Sequence, residues 1–350
     1  MPRGKFRPVK AIAKTQAAPG LEIIEVPEPT LQPGTVKIRV ERASLCGTDL
    51  HIYDWDDWSS NRIKPTRIIG HEFCGTILEV APDVTDRKPG DFVASESHVV
   101  DPTSPDYLNG LGHVDRTTQL LGVDIDGGFA PYAVIPAMNA RPVPTSVPKD
   151  VASMLDALGN AVHTVMDGPI EGKTILITGL GPIGLFAVAI CKCLGAKNVF
   201  ATEISPYRTQ LGINAGADLI FNPLTDDIPA LFAEHAPNGF DAVLEMSGHP
   251  TSLELAINYC NPGGRISLLG LYAQNRQTID INKAIFKGLS IHGIIGRRLW
   301  ETWDQMIWLL DQKNLDVSAV VTHQMPFTEY ETAIQTMKRG EAGKIVLTFD

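Results

Sequence analysis

One segment in the middle of the chain restricts the possible folds more than any other. An apolar stretch, residues 173–179, leads into the glycine pattern G-x-G-x-x-G, and a second apolar stretch, residues 182–194, follows it. In such a pattern Gly179 permits a tight turn, Gly181 lets the backbone approach a pyrophosphate, and Gly184 lets helix and strand pack closely. The segment therefore predicts a strand, a phosphate-binding turn and a helix whose N-terminus stabilises the phosphate charge.

An acidic residue lies at the distance from this pattern where a dinucleotide site needs one. Glu203 ends the next predicted strand, residues 198–203, about 20 residues after the glycine pattern. Its carboxylate can accept hydrogen bonds from an adenosine ribose and would repel a 2′-phosphate, so we predict NAD rather than NADP. Arg208 weakens this preference, because a guanidinium accommodates a phosphate. A glycine-rich turn without a ligand is the alternative interpretation.

After residue 151, strand-like and helix-like apolar patterns alternate. The further predicted elements are helices at 206–215, 251–259, 303–311 and 330–339 and strands at 242–245, 264–269 and 344–349. Such alternation indicates βαβ units and a parallel sheet with helices on both faces. The first 150 residues differ, because short apolar alternations such as 35–40, 75–80 and 92–94 are separated by Pro, Gly and Asp. That pattern predicts a barrel-like or sandwich β domain.

Length and composition narrow the class of protein. At about 150 residues per domain, 350 residues suggest two domains. Thirty basic against forty acidic side chains give a formal charge of −10, which disfavours nucleic acid and anionic membrane surfaces as partners. Residues 174–191 form an uncharged stretch long enough to suggest a membrane span, but glycines and Pro182 interrupt it. A strand, a turn and a buried helix explain it better.

The five cysteines are few and scattered, which indicates a reducing compartment rather than a disulfide scaffold. Residues 1–10 carry charge but no apolar run, so we expect no signal peptide and a cytoplasmic location. Cys191 and Cys193 are two apart on a predicted helix and should not form a metal pair. Cys74 and Cys260 lie in apolar stretches and are expected in the core.

Three potential metal ligands occur in the β-rich part. Cys46 opens the sequence CGTDLH, and His71 and Glu72 follow about twenty residues later in GHE. Thiolate, imidazole and carboxylate are ligands that zinc accepts, and three protein ligands with one open position would make the site catalytic. Such a metal would bind a substrate hydroxyl and lower its pKa. Spacing alone leaves open the alternative of a core cysteine and an ordinary loop His-Glu pair.

Several motifs resemble the zinc-dependent medium-chain alcohol dehydrogenase family. CGTDLHIY at 46–53 and GNAVHT at 159–164 are similar to its threonine-dehydrogenase branch, whereas GHE and the glycine pattern are shared more widely. The resemblance extends from about residue 10 to the end of the chain. It implies a GroES-like β-barrel catalytic domain, residues 1–158 completed by 300–350, and a doubly wound parallel-sheet Rossmann domain, residues 159–299. It also implies a homo-oligomer, either a dimer or a homotetramer.

The resemblance implies a metal site with a defined set of ligands. Cys46 and His71 would be zinc ligands, and Glu72 would be a third or exchanging ligand. Asp156 would lie near the metal and ligate it directly or through water.

The resemblance also implies catalytic and cofactor-binding residues. Thr48 would hydrogen-bond the substrate hydroxyl, and His51 would pass the proton to solvent by way of the nicotinamide ribose, with a solvated loop histidine as the alternative. His98 would lie near the substrate. The implied cofactor contacts, besides the glycines, are Ile183, Glu203, Arg208, Leu269, Gly270, Leu271, Ile294 and Ile295.

The chain departs from the family pattern in one segment. Most members carry a structural zinc on four closely spaced cysteines, but no cysteine occurs here between Cys74 and Cys191. Residues 101–119 hold His113 and several aspartates instead, so we predict at most one zinc per chain. His113 is expected to be a surface-loop residue rather than a metal ligand with Asp115. For the pair Arg297-Arg298 we favour a surface position over contact with a cofactor phosphate or substrate carboxylate.

These features together predict an NAD- and zinc-dependent dehydrogenase of a secondary alcohol. As the substrate, the resemblance implies L-threonine or a related amino alcohol, oxidised at its β-hydroxyl. A polyol or sugar dehydrogenase with the same chemistry is the alternative. A zinc-free reductase of the same superfamily would lack Cys46 and His71, and a non-enzymatic NAD-sensing protein would need neither Thr48 nor His51.

Overall fold

The computed structural model describes residues 8–349. Residues 1–7, on which the expectation of no signal peptide partly rests, lie outside the described residues. The strands of the described chain are β1 Pro8–Lys14, β2 Glu22–Pro27, β3 Thr35–Ser44, β4 Arg67–Ile68, β5 Phe73–Val80, β6 Phe92–Ser95, β7 His98–Val99, β8 Gln119–Leu120, β9 Tyr132–Pro136, β10 Ala140–Pro142, β11 Thr174–Thr178, β12 Asn198–Thr202, β13 Leu219–Phe221, β14 Phe240–Glu245, β15 Cys260–Leu268, β16 Ser290–Gly293, β17 Val321–Pro326 and β18 Lys344–Thr348.

The helices of the described chain are α1 Gly47–Asp54, α2 Asp57–Arg62, α3 Pro105–Leu108, α4 Lys149–Ser153, α5 Leu155–Met166, α6 Pro182–Cys193, α7 Pro206–Asn214, α8 Ile228–His235, α9 Pro250–Tyr259, α10 Ile281–Lys287, α11 Glu301–Asp311 and α12 Tyr330–Lys338. Five of the helices, α6, α7, α9, α11 and α12, agree with the predicted ones within two residues at each end. Within residues 8–349, no helix has both the length and the apolar character that crossing a membrane requires.

Contacts divide the chain into two compact units. The first comprises Met1–Ala157, Val321–Arg339 and Lys344–Asp350, and the second comprises Leu158–Val320 and Gly340–Gly343. Helix α11 belongs to the second unit, so the chain returns to the first unit at Val321. This helix buries Trp303, Met306 and Leu309.

The first unit is built around antiparallel pairing. Strand β3 pairs with β5, β9 and β18, and the sheet order is β10-β6-β5-β3-β18-β17. Val36, Ile38 and Val40 of β3 are almost fully buried, whereas Arg39 between them is exposed. The period of two in this stretch places one face on the core. A smaller sheet has the order β2-β1-β4.

The second unit contains a six-stranded parallel sheet. Its order is β13-β12-β11-β14-β15-β16, which in chain order is 3-2-1-4-5-6. Ile175, Leu176 and Ile177 of β11 are all completely buried, as expected for a central strand with helices on both faces. This is the doubly wound order in which ligands bind at the carboxyl edge, where the strand order reverses between β11 and β14.

Candidate active site

Three side chains of the first unit converge as a group of potential metal ligands. Cys46 precedes α1, and His71 and Glu72 lie directly before β5. Their ligand atoms all lie within 4.8 Å of one another. His71 and Glu72 are buried, and Cys46 is partly exposed. Pairing of β3 with β5 thus brings together three ligand types that zinc accepts.

The cysteine is held by the helix that it begins. Cys46 is the N-cap of α1, and its backbone amide donates to Asp49 Oδ2 at 2.8 Å. Its side chain in turn accepts from the backbone of Asp49, which completes a reciprocal capping arrangement. Sequence reasoning missed Asp49 as a site residue. The sequence feature that could have identified Asp49 is an acidic residue three positions after the N-cap of a helix.

The electrostatics of the group favour a charged imidazole when no metal is present. Burial by itself lowers the pKa of His71, but attraction to the Cys46 sulfur and to Asp156 outweighs it and raises the pKa to about 10. Burial raises the pKa of Asp49 to about 6, and Asp49 Oδ1 has no hydrogen-bond partner. The pocket therefore concentrates negative potential around His71.

Glu72 combines a fixed oxygen with an unused one. Its Oε2 accepts hydrogen bonds from Lys344 Nζ and Ser44 Oγ, and the side chains of Glu72 and Lys344 are 1% and 2% exposed. Its Oε1 is buried without a partner. An orphaned buried carboxylate oxygen is costly unless a cation or donor satisfies it. The donor set and this oxygen therefore fit a zinc ion.

Asp156 lies near this group but does not belong to it. It is buried at the start of α5, and the Ser97 amide donates to its Oδ1 at 3.3 Å. Among the described residues, the group within 4.8 Å contains Cys46, His71 and Glu72. The influence of Asp156 is electrostatic, since it raises the pKa of His71.

The two residues predicted to handle the proton both lie on α1. Thr48 Oγ1 lies 3.7 Å from the Cys46 sulfur, which places it beside the candidate metal site. His51 is more exposed, with 61% of its side chain accessible, and its Nδ1 lies 2.6 Å from Asp56 Oδ2. The ring of Trp58 packs edge-on against it. Asp56 thus fixes the orientation of a solvent-facing imidazole.

His98 is held by a carboxylate that the sequence did not point to. Its Nδ1 lies 2.9 Å from Glu96 Oε1, and its backbone amide donates to the same oxygen at 2.8 Å. Glu96 is completely buried, and His98 has a side chain that is 13% exposed. The ring is therefore rigidly positioned.

In the second unit, each glycine of the pattern has a distinct environment. Gly179 has a φ of +85°, a conformation that favours glycine. A Cβ at Gly184 would lie 2.1 Å from the carbonyl oxygen of Gly179, so α6 can pack on β11 only with glycine there. A Cβ at Gly181 would meet no atom within 4 Å. The fold does not fill the space beside Gly181, which fits a ligand pyrophosphate at the start of α6.

Glu203 follows β12 and is held by donors on several sides. Its Oε2 accepts from the Leu180 amide at 2.8 Å, and its Oε1 accepts from Arg208 at 2.8 Å. Burial raises the pKa of Glu203, but these hydrogen bonds outweigh it and lower the pKa below its usual range. The carboxylate is therefore charged at neutral pH, and Arg208 is tied to it.

The remaining predicted cofactor contacts lie at the same edge of the sheet. Residues 269–271 follow β15, and Ile294 and Ile295 follow β16. Leu271 is 87% exposed and Ile295 is 48% exposed. Apolar side chains that remain exposed at the ligand edge of such a sheet suit a bound organic ligand.

Three other expectations have definite outcomes. In the segment 101–119, Asp115 accepts from Ser104 and from the Thr117 amide, so it stabilises the loop itself. The expectation of a surface pair at residues 297–298 is wrong for Arg297, which is 1% exposed. It holds for Arg298, whose side chain is 43% exposed. Cys74 and Cys260 are buried, as predicted.

Comparison with known proteins identifies the protein family. Residues 32–145 match the alcohol dehydrogenase GroES-like domain, and residues 182–312 match the zinc-binding dehydrogenase domain. The chain belongs to the zinc-dependent medium-chain dehydrogenase family. The predicted fold class, family and enzyme class are confirmed.

Curated relatives of similar length show which members of the family this chain resembles. An L-threonine 3-dehydrogenase of Pyrococcus abyssi is 44% identical over 96% of this chain and 97% of its own length. Another, of Bacillus licheniformis, is 41% identical over 97% of this chain and 98% of its own length. An alcohol dehydrogenase from E. coli CFT073, solved with NADH, superposes with a TM-score of 0.90 at 29% identity, covering 98% of this chain and 99% of its own.

Proposed function

We propose that this protein oxidises L-threonine, or a closely related amino alcohol, at its β-hydroxyl to the 3-keto product, with NAD as the hydride acceptor and one zinc ion per chain. The observation that carries the proposal is the group formed by Cys46, His71 and Glu72, whose ligand atoms lie within 4.8 Å. The names of relatives at 41% and 44% identity support the choice of substrate.

When bound, zinc would lower the pKa of the substrate hydroxyl, and NAD would take up the hydride. The chain itself moves the proton. Thr48, beside Cys46, hydrogen-bonds the hydroxyl, and His51, three residues further along α1, shares its face. Asp56 holds Nδ1 of His51, so Nε2 exchanges the proton with solvent.

Acidic residues and a second histidine complete the proposed site. Glu72 would hold the metal as a third or exchanging ligand through its Oε1, which has no hydrogen-bond partner. Asp156 would act on the metal through water, because its charge influences His71 although it does not belong to the group of ligand atoms. His98 contacts the substrate, and Glu96 keeps its ring in place.

The carboxyl edge of the parallel sheet would hold the cofactor. Gly181, where a Cβ would find open space, would receive the pyrophosphate, and Glu203 would bind the adenosine ribose. The charge of Glu203 favours NAD over a cofactor with a 2′-phosphate. The ion pair with Arg208 supports this preference, because the guanidinium is already bound to a carboxylate. The rest of the cofactor would contact Ile183, residues 269–271, Ile294 and Ile295.

The decisive experiment is NADH formation from L-threonine and NAD by the purified protein, with and without a zinc chelator. Cys46→Ala should abolish turnover while NADH binding survives. Cys193→Ser is the matched control, because Cys193 is a partly exposed thiol of the second unit outside the ligand group, and it should keep full activity.

Other outcomes would redirect the proposal. Turnover of polyols or sugars in preference to L-threonine would support the alternative substrate class with the same chemistry. Chelator-insensitive turnover, or full activity in Cys46→Ala, would show that zinc at this group is not required.

The proposed form is a cytoplasmic homo-oligomer. All five cysteines are free, which suits a reducing compartment. Ile285 and Phe286 of α10 are 65% and 89% exposed, and Ile291 of the following strand, β16, is 38% exposed. β16 ends the six-stranded sheet, so its outer edge has no partner strand among the described residues. A second copy of the chain would cover these apolar side chains.

A further inference from the structure

The motif at residues 159–164 has no part in the chemistry proposed above, yet its side chains hold one loop of the second unit. This loop, residues 294–298, follows β16 and is called here the β16 loop. His163 Nδ1 lies 3.0 Å from the carbonyl oxygen of Gly296, and Arg297 donates to Asn160 Oδ1 at 3.0 Å. Two successive residues of the loop are thus bound by side chains of α5.

The next residue of the loop is bound by a carboxylate just after α5. Arg298 donates to Asp167 Oδ1 at 2.9 Å, and the side chain of Asp167 is only 5% exposed. Arg265 and His292 also contact Asp167. Two arginines share this one carboxylate, so loss of its charge would leave both without their counter-charge.

The two contacts between α5 and the β16 loop are made by buried side chains. Arg297 is 1% exposed and His163 is 5% exposed. A Cβ at Gly159 would lie 2.5 Å from Cδ of Arg297, so the motif needs glycine where the arginine crosses α5. Burial lowers the pKa of His163, so the ring is neutral and donates its proton from Nδ1 to the Gly296 carbonyl.

The β16 loop lies where the second half of a dinucleotide would bind. The sheet order reverses between β11 and β14, and Glu203, the proposed adenosine contact, follows β12 on one side of that point. The nicotinamide half is therefore expected beside β14, β15 and β16. At that edge the Ile294 amide donates to the Leu268 carbonyl at 2.8 Å, and Ile295 is nearly half exposed.

We propose that Asn160, His163 and Asp167 are positioning residues that fix the β16 loop in the conformation that receives the nicotinamide half of NAD. This inference rests on the proposed function, because it needs a dinucleotide at the sheet edge. The three residues act through the loop backbone and through Arg297 and Arg298, without touching the cofactor. Their loss should therefore weaken one half of the binding site and spare the other.

The test compares two ligands on the full-length protein. NADH uses both halves of the site, whereas ADP-ribose has the adenosine and pyrophosphate but no nicotinamide. In His163→Leu and in Arg298→Gln, NADH binding should weaken about tenfold, while ADP-ribose binding stays within about twofold of the unchanged protein. Arg298→Gln alters a half-exposed side chain, so it tests the Asp167 contact of the β16 loop without disturbing the core.

Two further variants separate positioning from general destabilisation. His163→Asn keeps a donor close to the place of Nδ1 and should restore most of the NADH affinity. Lys192→Gln removes a partly exposed ion pair with Asp218 elsewhere in the unit and should change neither ligand. Equal losses of NADH and ADP-ribose, unchanged NADH affinity, or no recovery in His163→Asn would overturn the inference. If the unchanged protein bound neither ligand, the proposed nucleotide site itself would be wrong.

Discussion

At the scale of single residues, the candidate metal site depends on charges that compensate one another in a buried place. Glu72 shares one oxygen with Lys344 and Ser44 and leaves the other unpaired. His71 is stabilised as a cation by the Cys46 sulfur. Removing one partner of such a set leaves an uncompensated charge, which costs more than the pair itself contributes.

The pair of Lys344 with Glu72 gives a stability prediction. Lys344→Met should lower the free energy of unfolding of the metal-free protein by about 3 kcal/mol, because a buried carboxylate loses its cation. Lys338→Met is the matched control, since Lys338 pairs with Asp54 at the surface, and it should cost less than about 1 kcal/mol. Urea denaturation measures both, and equal losses would contradict the prediction.

The raised pKa of His71 gives a pH prediction. In the metal-free protein the imidazole keeps its proton until about pH 10, whereas zinc binds only the neutral ring. Zinc binding must therefore release a proton, and zinc affinity should rise with pH, by about tenfold per unit between about pH 6 and 8. Competition with a chromophoric chelator measures it. A pH-independent affinity would mean that His71 is not a ligand.

At the scale of elements, the strand β11, its turn and the helix α6 form the unit that prepares the nucleotide site. Gly184 sets how closely α6 approaches β11, whereas Gly181 borders open space. The two glycines therefore serve different purposes, packing in one case and ligand access in the other.

Alanine at each glycine should separate these purposes. Gly184→Ala forces a methyl group against the Gly179 carbonyl, so it should lower the free energy of unfolding by about 1–3 kcal/mol and weaken NADH binding. Gly181→Ala should leave the melting temperature unchanged and weaken NADH binding, because the methyl group occupies the place of the pyrophosphate. Thermal unfolding measures the stability of both variants, and titration with NADH measures their affinity for the cofactor. Normal NADH affinity in Gly181→Ala would contradict the proposed location.

At the scale of the whole molecule, exposed apolar side chains concentrate on α10 and the edge strand β16. Ile285, Phe286 and Ile291 offer a surface that would be costly to leave in water. An open sheet edge beside them favours association with another copy of the chain.

Replacing one aromatic residue should test this surface. Phe286→Glu should reduce the particle mass measured by sedimentation, because a charge on the contact must be desolvated on association. Leu224→Glu is the control, since Leu224 is 76% exposed but lies between β13 and α8, and it should keep the mass of the unchanged protein. An unchanged mass in Phe286→Glu would place any interface elsewhere.

The sequence by itself determined the features that depend on local spacing. The glycine pattern predicted β11, its turn and α6, and the alternation of apolar segments predicted the parallel sheet, because periodicity and glycine placement act within a few residues. Short elements such as β13, β16 and α10 went unpredicted, since each holds too few residues for a periodic signal.

The tertiary structure alone decided how distant side chains meet. Glu72 and Lys344 are 272 residues apart, and Asn160 and Arg297 are 137 apart, so no local pattern could pair them. Arg297 was expected at the surface because an arginine is rarely buried, and it is buried only because Asn160 and a glycine of α5 accommodate it. Burial and partnership of charges are properties of the assembled fold, since they depend on which segments exclude water from one another.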